Sequence, residues 1–194
     1  MEGKMVANVL EVARRSKGVS QTRLASLSNG YQSNISQIEN GETDPGITTV
    51  NRYLKAIDFS LVPLPTRTPI VAEFALKIAS ALEEGSQETA FRIFLELNDR
   101  LKEAKREICL VLSITPAPFV GDEKFDALIA GLVEYHLRKR RLPVVDWVKD
   151  SKRSLKSKWL VDSYAPSQER VEKRTPKSFL KRNILLSESE LVSI

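Results

Sequence analysis

The chain has 194 residues, 42% hydrophobic and 28% charged, a balance that suits a soluble globular protein and excludes a disordered or fibrous one. No apolar run approaches the ~20 residues of a membrane helix, and the N-terminus lacks a small-residue cleavage site. One cysteine permits neither an intrachain disulfide nor a thiolate cluster, so the expectation is a cytoplasmic protein. The net charge of +5 is uneven: residues 1–62 carry 7 Lys/Arg against 6 Asp/Glu, residues 63–121 carry 7 against 8, and residues 122–194 carry 16 against 11.

Val6, Val9, Leu10 and Ala13 recur at helical spacing and predict a first helix over residues 5–16, stopped by Gly18. Arg14, Arg15 and Lys17 close it, where they either complement the macrodipole or reach phosphate. Ser20 stands as the N-cap of a second helix, with Leu24 and Leu27 inward and Ala25 small where two helices cross. Asn29 and Gly30 make a turn, since both tolerate a left-handed backbone. A third helix runs over about residues 32–40, burying Ile35 and Ile38 and leaving Gln32, Ser33, Asn34 and Gln37 outside. Two short helices across a tight turn have the form of a helix-turn-helix. An exposed face of amides and hydroxyls suits base edges, because an amide both donates to and accepts from adenine; ordinary polar surface is the competing reading. Gly41 ends this helix and residues 44–46 turn. A fourth helix starts near residue 48, with Val50, Leu54 and Ile57 inward and Tyr53 partly so. Residues 59–64 alternate and run into prolines, which predicts an edge strand or extended arm. About five helices in sixty residues make a small core that a partner surface would help.

Residues 66–68 read as a linker, dividing the chain into 1–65 and 66–194. Thr68 and Pro69 then open a helix carrying Phe74, Ile78, Ala81 and Leu82 as far as Gly85. Ser86 caps the next, with Thr89 at the capping-box position and Phe91, Phe94, Leu97 and Leu101 making it amphipathic to about residue 106. Residues 108–114 are an apolar run that is either a helix end or a strand. Another helix begins at Gly121 and Asp122, carries Phe125, Leu128, Leu132 and Leu137, and ends in the basic run 138–141 before Pro143. Short segments follow, with Trp147, Trp159 and Tyr164 among Lys149, Lys152, Arg153, Lys156 and Lys158. A helix over about residues 166–174 precedes another opened by Thr175 and Pro176, and Ser187 caps a last turn at residues 188–191. The fold class is therefore mainly α: a five-helix helix-turn-helix domain with a short edge strand, then a second mostly helical domain.

Catalytic signatures are missing. There is no glycine-rich phosphate loop, metal-ligand cluster or nucleophile elbow. His136, the sole histidine, sits on an amphipathic helix and reads as structural. Cys109, between Ile108 and Leu110, reads as a small buried hydrophobe. Asp122, Glu123 and Asp126 crowd a helix N-terminus, where negative charge is stabilising. The expectation is no enzyme, no cofactor and no metal. Residues 138–182 hold 15 Lys/Arg against 5 Asp/Glu. That excess is a salt-bridged solvated face, a second DNA contact, or a surface for an acidic partner protein anchored by Trp147, Trp159 and Arg153.

Ser20-Gln21, Leu24-Ala25, Ile35-Ser36-Gln37-Ile38-Glu39-Asn40-Gly41 and Asp44-Pro45, at this separation, make residues 6–61 resemble the Cro and lambda-repressor-like (Xre-type) helix-turn-helix family. The resemblance implies that Gln32, Ser33 and Gln37 face base edges and that Gln21, Asn34, Asn40 and Thr43 meet phosphates, while Glu39 pairs with a basic residue of a neighbouring helix. It implies a dimer on a palindromic operator, with half-sites roughly 34 Å apart. Phe59, Leu61 and Val62 resemble the strand that antitoxin relatives pair across their two-fold axis; a plain linker is the alternative. The chain departs from the family at the turn, with Asn29 then Gly30 instead of Gly then an apolar residue, and with Tyr31 where a Ser or Thr cap is usual. Tyr31 either fills the gap left by Gly30 or lies against a DNA sugar. The nearly neutral domain implies a shallow salt dependence. Residues 121–148 and 175–192 resemble regions attached to such readers beside toxin-like nucleotidyltransferase genes, which implies an antitoxin that represses its own operon. Its partners are then double-stranded DNA, a second copy of the chain and a toxin protein, with no membrane. Two alternatives stand: a regulator sensing a small ligand in an apolar pocket enclosed by residues 70–137, and an interaction protein whose helix-turn-helix no longer reads DNA.

Overall fold

A 3.6-residue apolar period runs through most of the chain, and helices follow from it nearly throughout. The computed structural model describes residues 2–61, 69–162 and 167–191, with side chains from Val9 onward. Contacts divide the chain into two units, Met1–Pro65 and Thr66–Ile194. No helix among the described residues is long and apolar enough to cross a membrane.

The first unit comprises α1 (Glu2–Ser16), α2 (Gln21–Leu27), α3 (Gln32–Glu39) and α4 (Ile47–Lys55). Leu10, Leu24, Ile35, Tyr53, Leu54 and Ile57 form its core. Ser20 caps α2 by accepting the Arg23 N–H at 3.1 Å, as the sequence predicts. In the turn, Asn29 takes the left-handed conformation at φ 51. Gly30 is needed for another reason: a Cβ there would lie 3.1 Å from Cε1 of Tyr53. The buried Tyr53 ring thus fills the gap beneath the turn, and Tyr31 is left 76% exposed. Leu27, expected inside, is 42% exposed because α2 ends with it.

Four described helices stand where five were expected. After α4 the chain closes through Asp58 at φ 62, and the Phe59 N–H bonds back to Leu54 O at 3.0 Å. Among the described residues 59–61 form no strand, and the rest of the expected 59–64 arm lies outside the described residues. Phe59 and Leu61 of the expected arm are exposed, with Lys17 Nζ 5.6 Å from the Phe59 ring. Val62, the linker at 66–68 and the Thr68 cap lie outside the described residues, as do the Val6 side chain, Tyr164 and Pro166.

The second unit begins with α5 (Val71–Glu83), two residues later than the Thr68–Pro69 pattern suggests. Its start is set by Glu73, whose Oε1 accepts the Ile70 N–H at 3.3 Å. Gly85, at φ 77, turns the chain into α6 (Gln87–Glu103), where Ser86 Oγ accepts the Thr89 N–H at 3.2 Å. An extended residue at Ala104 breaks that helix, and the ambiguous run becomes helical as α7 (Arg106–Ile114). Asp122 caps α8 (Glu123–Lys139), accepting from Lys124 N at 2.8 Å and Phe125 N at 3.1 Å. Helix α8 is buried on most of its circumference and forms the axis of the unit. Phe74, Ile78, Phe94, Leu97, Leu128 and Leu132 are each at most 1% exposed and fill the space between α5, α6 and α8. Those side chains close this part of the unit, and the cleft described below opens on its surface.

Two 3-10 turns, Asp146–Lys149 and Ser151–Arg153, lead to β1 (Trp159–Leu160), which pairs in parallel with β2 (Ile184–Leu185). Two-residue strands have no readable alternation, so this ladder was invisible in the sequence. Between them lie α9 (Gln168–Arg174) and α10 (Lys177–Leu180), and a 3-10 turn, Glu188–Leu191, follows. Phe179 of α10 lies on Gly131 of α8, where a Cβ would come within 2.7 Å of Cδ1. Beside it, the buried Glu134 carboxylate receives Arg138 Nε at 2.6 Å, Lys181 Nζ at 2.5 Å and Arg182 Nη1 at 2.8 Å. Burial alone would raise this carboxyl; the hydrogen bonds from Lys181, Arg138 and Arg182 outweigh it and bring the pKa down to about 2.

Candidate nucleic-acid interface

The outward face of α3 is held by a polar chain that starts in the core. Arg14 of α1 grips Glu39, the last residue of α3, through Nε–Oε1 and Nη2–Oε2 bonds, both 2.7 Å, and donates Nη1 to Val19 O at 2.7 Å. Donating to Glu39 raises the Arg14 pKa against the cost of burial. Glu39 Oε2 also accepts from Gln21 Nε2 at 2.9 Å, and Gln21 Oε1 accepts from Gln32 Nε2 at 2.8 Å. A buried ion pair therefore fixes the amide of Gln21 at the start of α2, and Gln21 fixes the amide of Gln32 at the start of α3. One Nε2 hydrogen is used, leaving one N–H and Oε1 available, the pair that adenine N7 and N6 require.

Gln32, Ser33, Asn34 and Gln37 are exposed together on α3, while Ile35 and Ile38 anchor its opposite side. Tyr31 precedes them as the N-cap without a side-chain hydrogen bond. At the other end, Asn40 donates its amide to Glu42 Oε1 at 3.0 Å, Gly41 turns the chain at φ 72, and Thr43 is exposed in the loop. The structure thus brings the expected base-facing residues onto one surface, with Gln21 beside them and Asn40 and Thr43 just past the helix end. It withdraws Arg14 from phosphate altogether. Arg15 pairs with Glu11 at 2.7 Å and Lys17 with Asp58 at 3.7 Å, so the basic cluster closing α1 is largely neutralised locally.

The second unit corrects the expected partner anchors. Arg153 is only 3% exposed. Its guanidinium lies between the rings of Phe119, at 4.2 Å, and Trp147, at 4.8 Å, donates to Ala117 O and stands 3.6 Å from Asp126 Oδ1. Trp147 is half-buried and donates Nε1 to Ser113 O at 2.8 Å. Both side chains hold their own fold together, because a guanidinium stacked between two rings binds better inside than in water. Trp159 is half-buried beneath Lys124 Nζ, 5.0 Å from its ring. Much of the basic excess at residues 138–182 is likewise paired: Lys149 with Asp146, Lys158 with Glu172, Lys173 with Glu169, and Arg138, Lys181 and Arg182 with Glu134. Arg140 closes the C-terminus of α6, donating Nη2 to Leu101 O at 2.6 Å and Lys102 O at 2.9 Å. The roles of Arg140, Arg153 and Trp147 had no local sequence signal, since each pairs residues at least thirty apart.

His136 is buried, with Nε2 2.8 Å from Asn98 Oδ1 and Nδ1 3.2 Å from Arg140 Nη1. Burial, then the nearby charges of Arg140, Lys139 and Lys102, push its pKa down to about 3, so the ring is neutral and structural. Burial also pushes the Cys109 thiol up.

Residues 10–64 match the helix-turn-helix family. The N-terminal unit is thus a helix-turn-helix domain of the Xre/Cro type, the DNA-binding module of transcription regulators. No curated protein and no solved structure matches the chain.

Proposed function

We propose that this DNA-binding regulator is a sequence-specific repressor that binds a palindromic operator as a dimer, and that it is the antitoxin and autorepressor of a toxin–antitoxin pair in the cytoplasm. The observation that carries the DNA reading is the chain Arg14–Glu39–Gln21–Gln32, which presents a pre-oriented amide at the N-terminal end of α3. In this reading residues 1–65 are the reader and residues 66–194 the partner-binding domain. Gln32, with Ser33 and Gln37, meets base edges; Gln21, Asn34, Asn40 and Thr43 set the register on phosphates. Tyr31, exposed where the recognition helix enters the groove, offers an apolar surface to a sugar or a thymine methyl. Dimerisation through Phe59, Leu61 and Val62 suits a unit whose small core and near-neutral charge give one protomer modest affinity.

Fluorescence anisotropy of the full chain on its own promoter tests the reading. Gln32→Ala and Gln37→Ala are each expected to weaken binding by about 1–3 kcal/mol and to relax preference at one base pair per half-site. Tyr31→Ala should cost several-fold in affinity and nothing in stability, its ring being in water. Promoter affinity unchanged in both glutamine variants refutes the assignment. Co-expression with the product of the adjacent gene, followed by pull-down, tests the antitoxin role. If the pair does not co-purify and the neighbour is harmless without this chain, that role falls.

A further inference from the structure

On the second unit, a cleft of about 360 Å³ opens between the C-terminal ends of α6 and α8 and the 188–191 turn. Three cations line it: Lys102, Lys139 and Arg140. Only one faces an acid. Lys139 Nζ lies 3.1 Å from Glu188 Oε1, while Lys102 and Arg140 have no acidic partner within ion-pair distance among the described residues. The four charges leave the cleft with a surplus of +2. Its other titratable walls do not offset this: His136 is neutral, and the Tyr135 hydroxyl donates to Glu188. A concave, half-walled surface of one sign raises the local concentration of counter-ions.

The chain already supplies a carboxylate here. Glu188 takes hydrogen bonds from Tyr135 Oη and Lys139 Nζ, and Lys139 donates to Tyr135 Oη at 2.8 Å. We propose that the cleft binds a small phosphate-type oxyanion, which displaces the Glu188 carboxylate from Lys139 and Tyr135. With Glu188 displaced, three cations face the ligand, a match for a dianion rather than a lone carboxylate. Lys102, Lys139 and Tyr135 are its donors. Arg140 supplies charge alone, because its Nη atoms are held by the carbonyls of Leu101, Lys102 and Ala104 and by His136. Displacement also acts on the tail, since Glu188 and the Leu191 carbonyl, which accepts from Asn98 Nδ2 at 2.6 Å, both dock the 188–191 turn here.

The test is NMR titration of the full chain with sodium phosphate, set against sodium chloride at equal ionic strength. His136 is the only histidine, so its ring signals report the cleft without ambiguity. Saturable shifts of the His136 and Tyr135 rings are expected with phosphate and not with chloride. Glu188→Gln, which removes the competitor, should tighten phosphate about threefold, whereas Lys102→Ala and Tyr135→Phe should each weaken it about threefold. Opposite signs distinguish a site from general screening, which moves every variant in one direction. Linear shifts, shifts reproduced by chloride, Glu188→Gln binding no tighter than the native chain, or shifts raised by a DNA duplex and not by phosphate each overturn the proposal.

Discussion

Removing Glu39 separates two jobs that one residue does. Its side chain is 3% exposed, and that of its partner Arg14 is 10% exposed. Glu39→Ala deletes the acceptor for two Arg14 bonds and one Gln21 bond, leaving the guanidinium with Val19 O alone. Breaking a buried pair from one side costs about 3–5 kcal/mol. A unit of this size, at roughly 0.05–0.15 kcal/mol per residue, holds about 3–9 kcal/mol in total, so Glu39→Ala should unfold much of it. Glu39→Gln, which keeps the shape and one acceptor, should cost about 1.5–3 kcal/mol. The informative variant is Arg14→Met with Glu39→Leu. Replacing both charges with apolar groups is often neutral for stability, yet it leaves Gln21 Nε2 without an anchor and so frees Gln32. Both tryptophans lie in the second unit, so stability of the first is followed by hydrogen exchange at the buried Ile35 and Ile38 amides. The double variant is expected to regain protection while operator affinity stays about tenfold or more below native. Native affinity in a protected double variant would falsify the idea that the ion pair orients the reading amide.

Other expectations follow from the second unit, where tryptophan fluorescence in urea reports stability. With a folded pKa of about 3, His136 stays neutral where the unfolded ring, near 6.5, takes a proton, so the unfolded state binds more protons between those values. Stability is then full above about pH 6.5 and falls with acidification at up to about 1.4 kcal/mol per pH unit. His136→Gln should flatten the profile between pH 7 and 5, whereas Glu134, held at about 2, contributes loss only below about 4.5; an equally steep profile in the variant contradicts the assignment. Gly131→Ala gains about 1 kcal/mol of helix propensity but drives a methyl within 2.7 Å of the fully buried Phe179, and overpacking of about 1–3 kcal/mol should win. A stabilised variant would show that α10 sits less tightly on α8. Arg140→Ala strips the α6 carbonyls of their donor and should lower the urea midpoint by the equivalent of about 1–3 kcal/mol; an unchanged midpoint removes its capping role.

What was legible in the sequence was local. Ser20 and Ser86 act within three residues of themselves and each caps the helix it was expected to cap, and Asp122 caps the helix expected to begin beside it. The polar face of α3 was legible because Ile35 and Ile38 leave no other side for the amides. The Glu39 partner was expected only as a basic residue of a neighbouring helix; that it is Arg14, twenty-five positions away, required the fold. Arg153 and Trp147 misled for a related reason. An Arg and a Trp in a basic stretch look the same whether their stacking partners belong to another protein or, as with Phe119, to the same chain thirty-four residues earlier. The β1–β2 ladder is held by bonds such as Trp159 N–H to Asn183 O at 2.8 Å, which no two-residue pattern announces.

The Glu134 cluster has a bearing on how the polypeptide is made. A nascent chain that has emerged as far as α8 carries Glu134 with Arg138 as its sole cation, for Lys181 and Arg182 are still to come. The Arg182 bond to Val148 O, the seat of Phe179 on Gly131 and the Asn98 bond to Leu191 O likewise wait for residues 179–191. The first unit needs nothing beyond its own residues to close its core. On the ribosome the DNA reader is therefore finished while the second unit is still open, and a chain cut short before residue 177 keeps the reader but leaves a buried acid, a glycine groove and an asparagine unmatched. Such a chain is half folded, and residues 177–191 are what complete it.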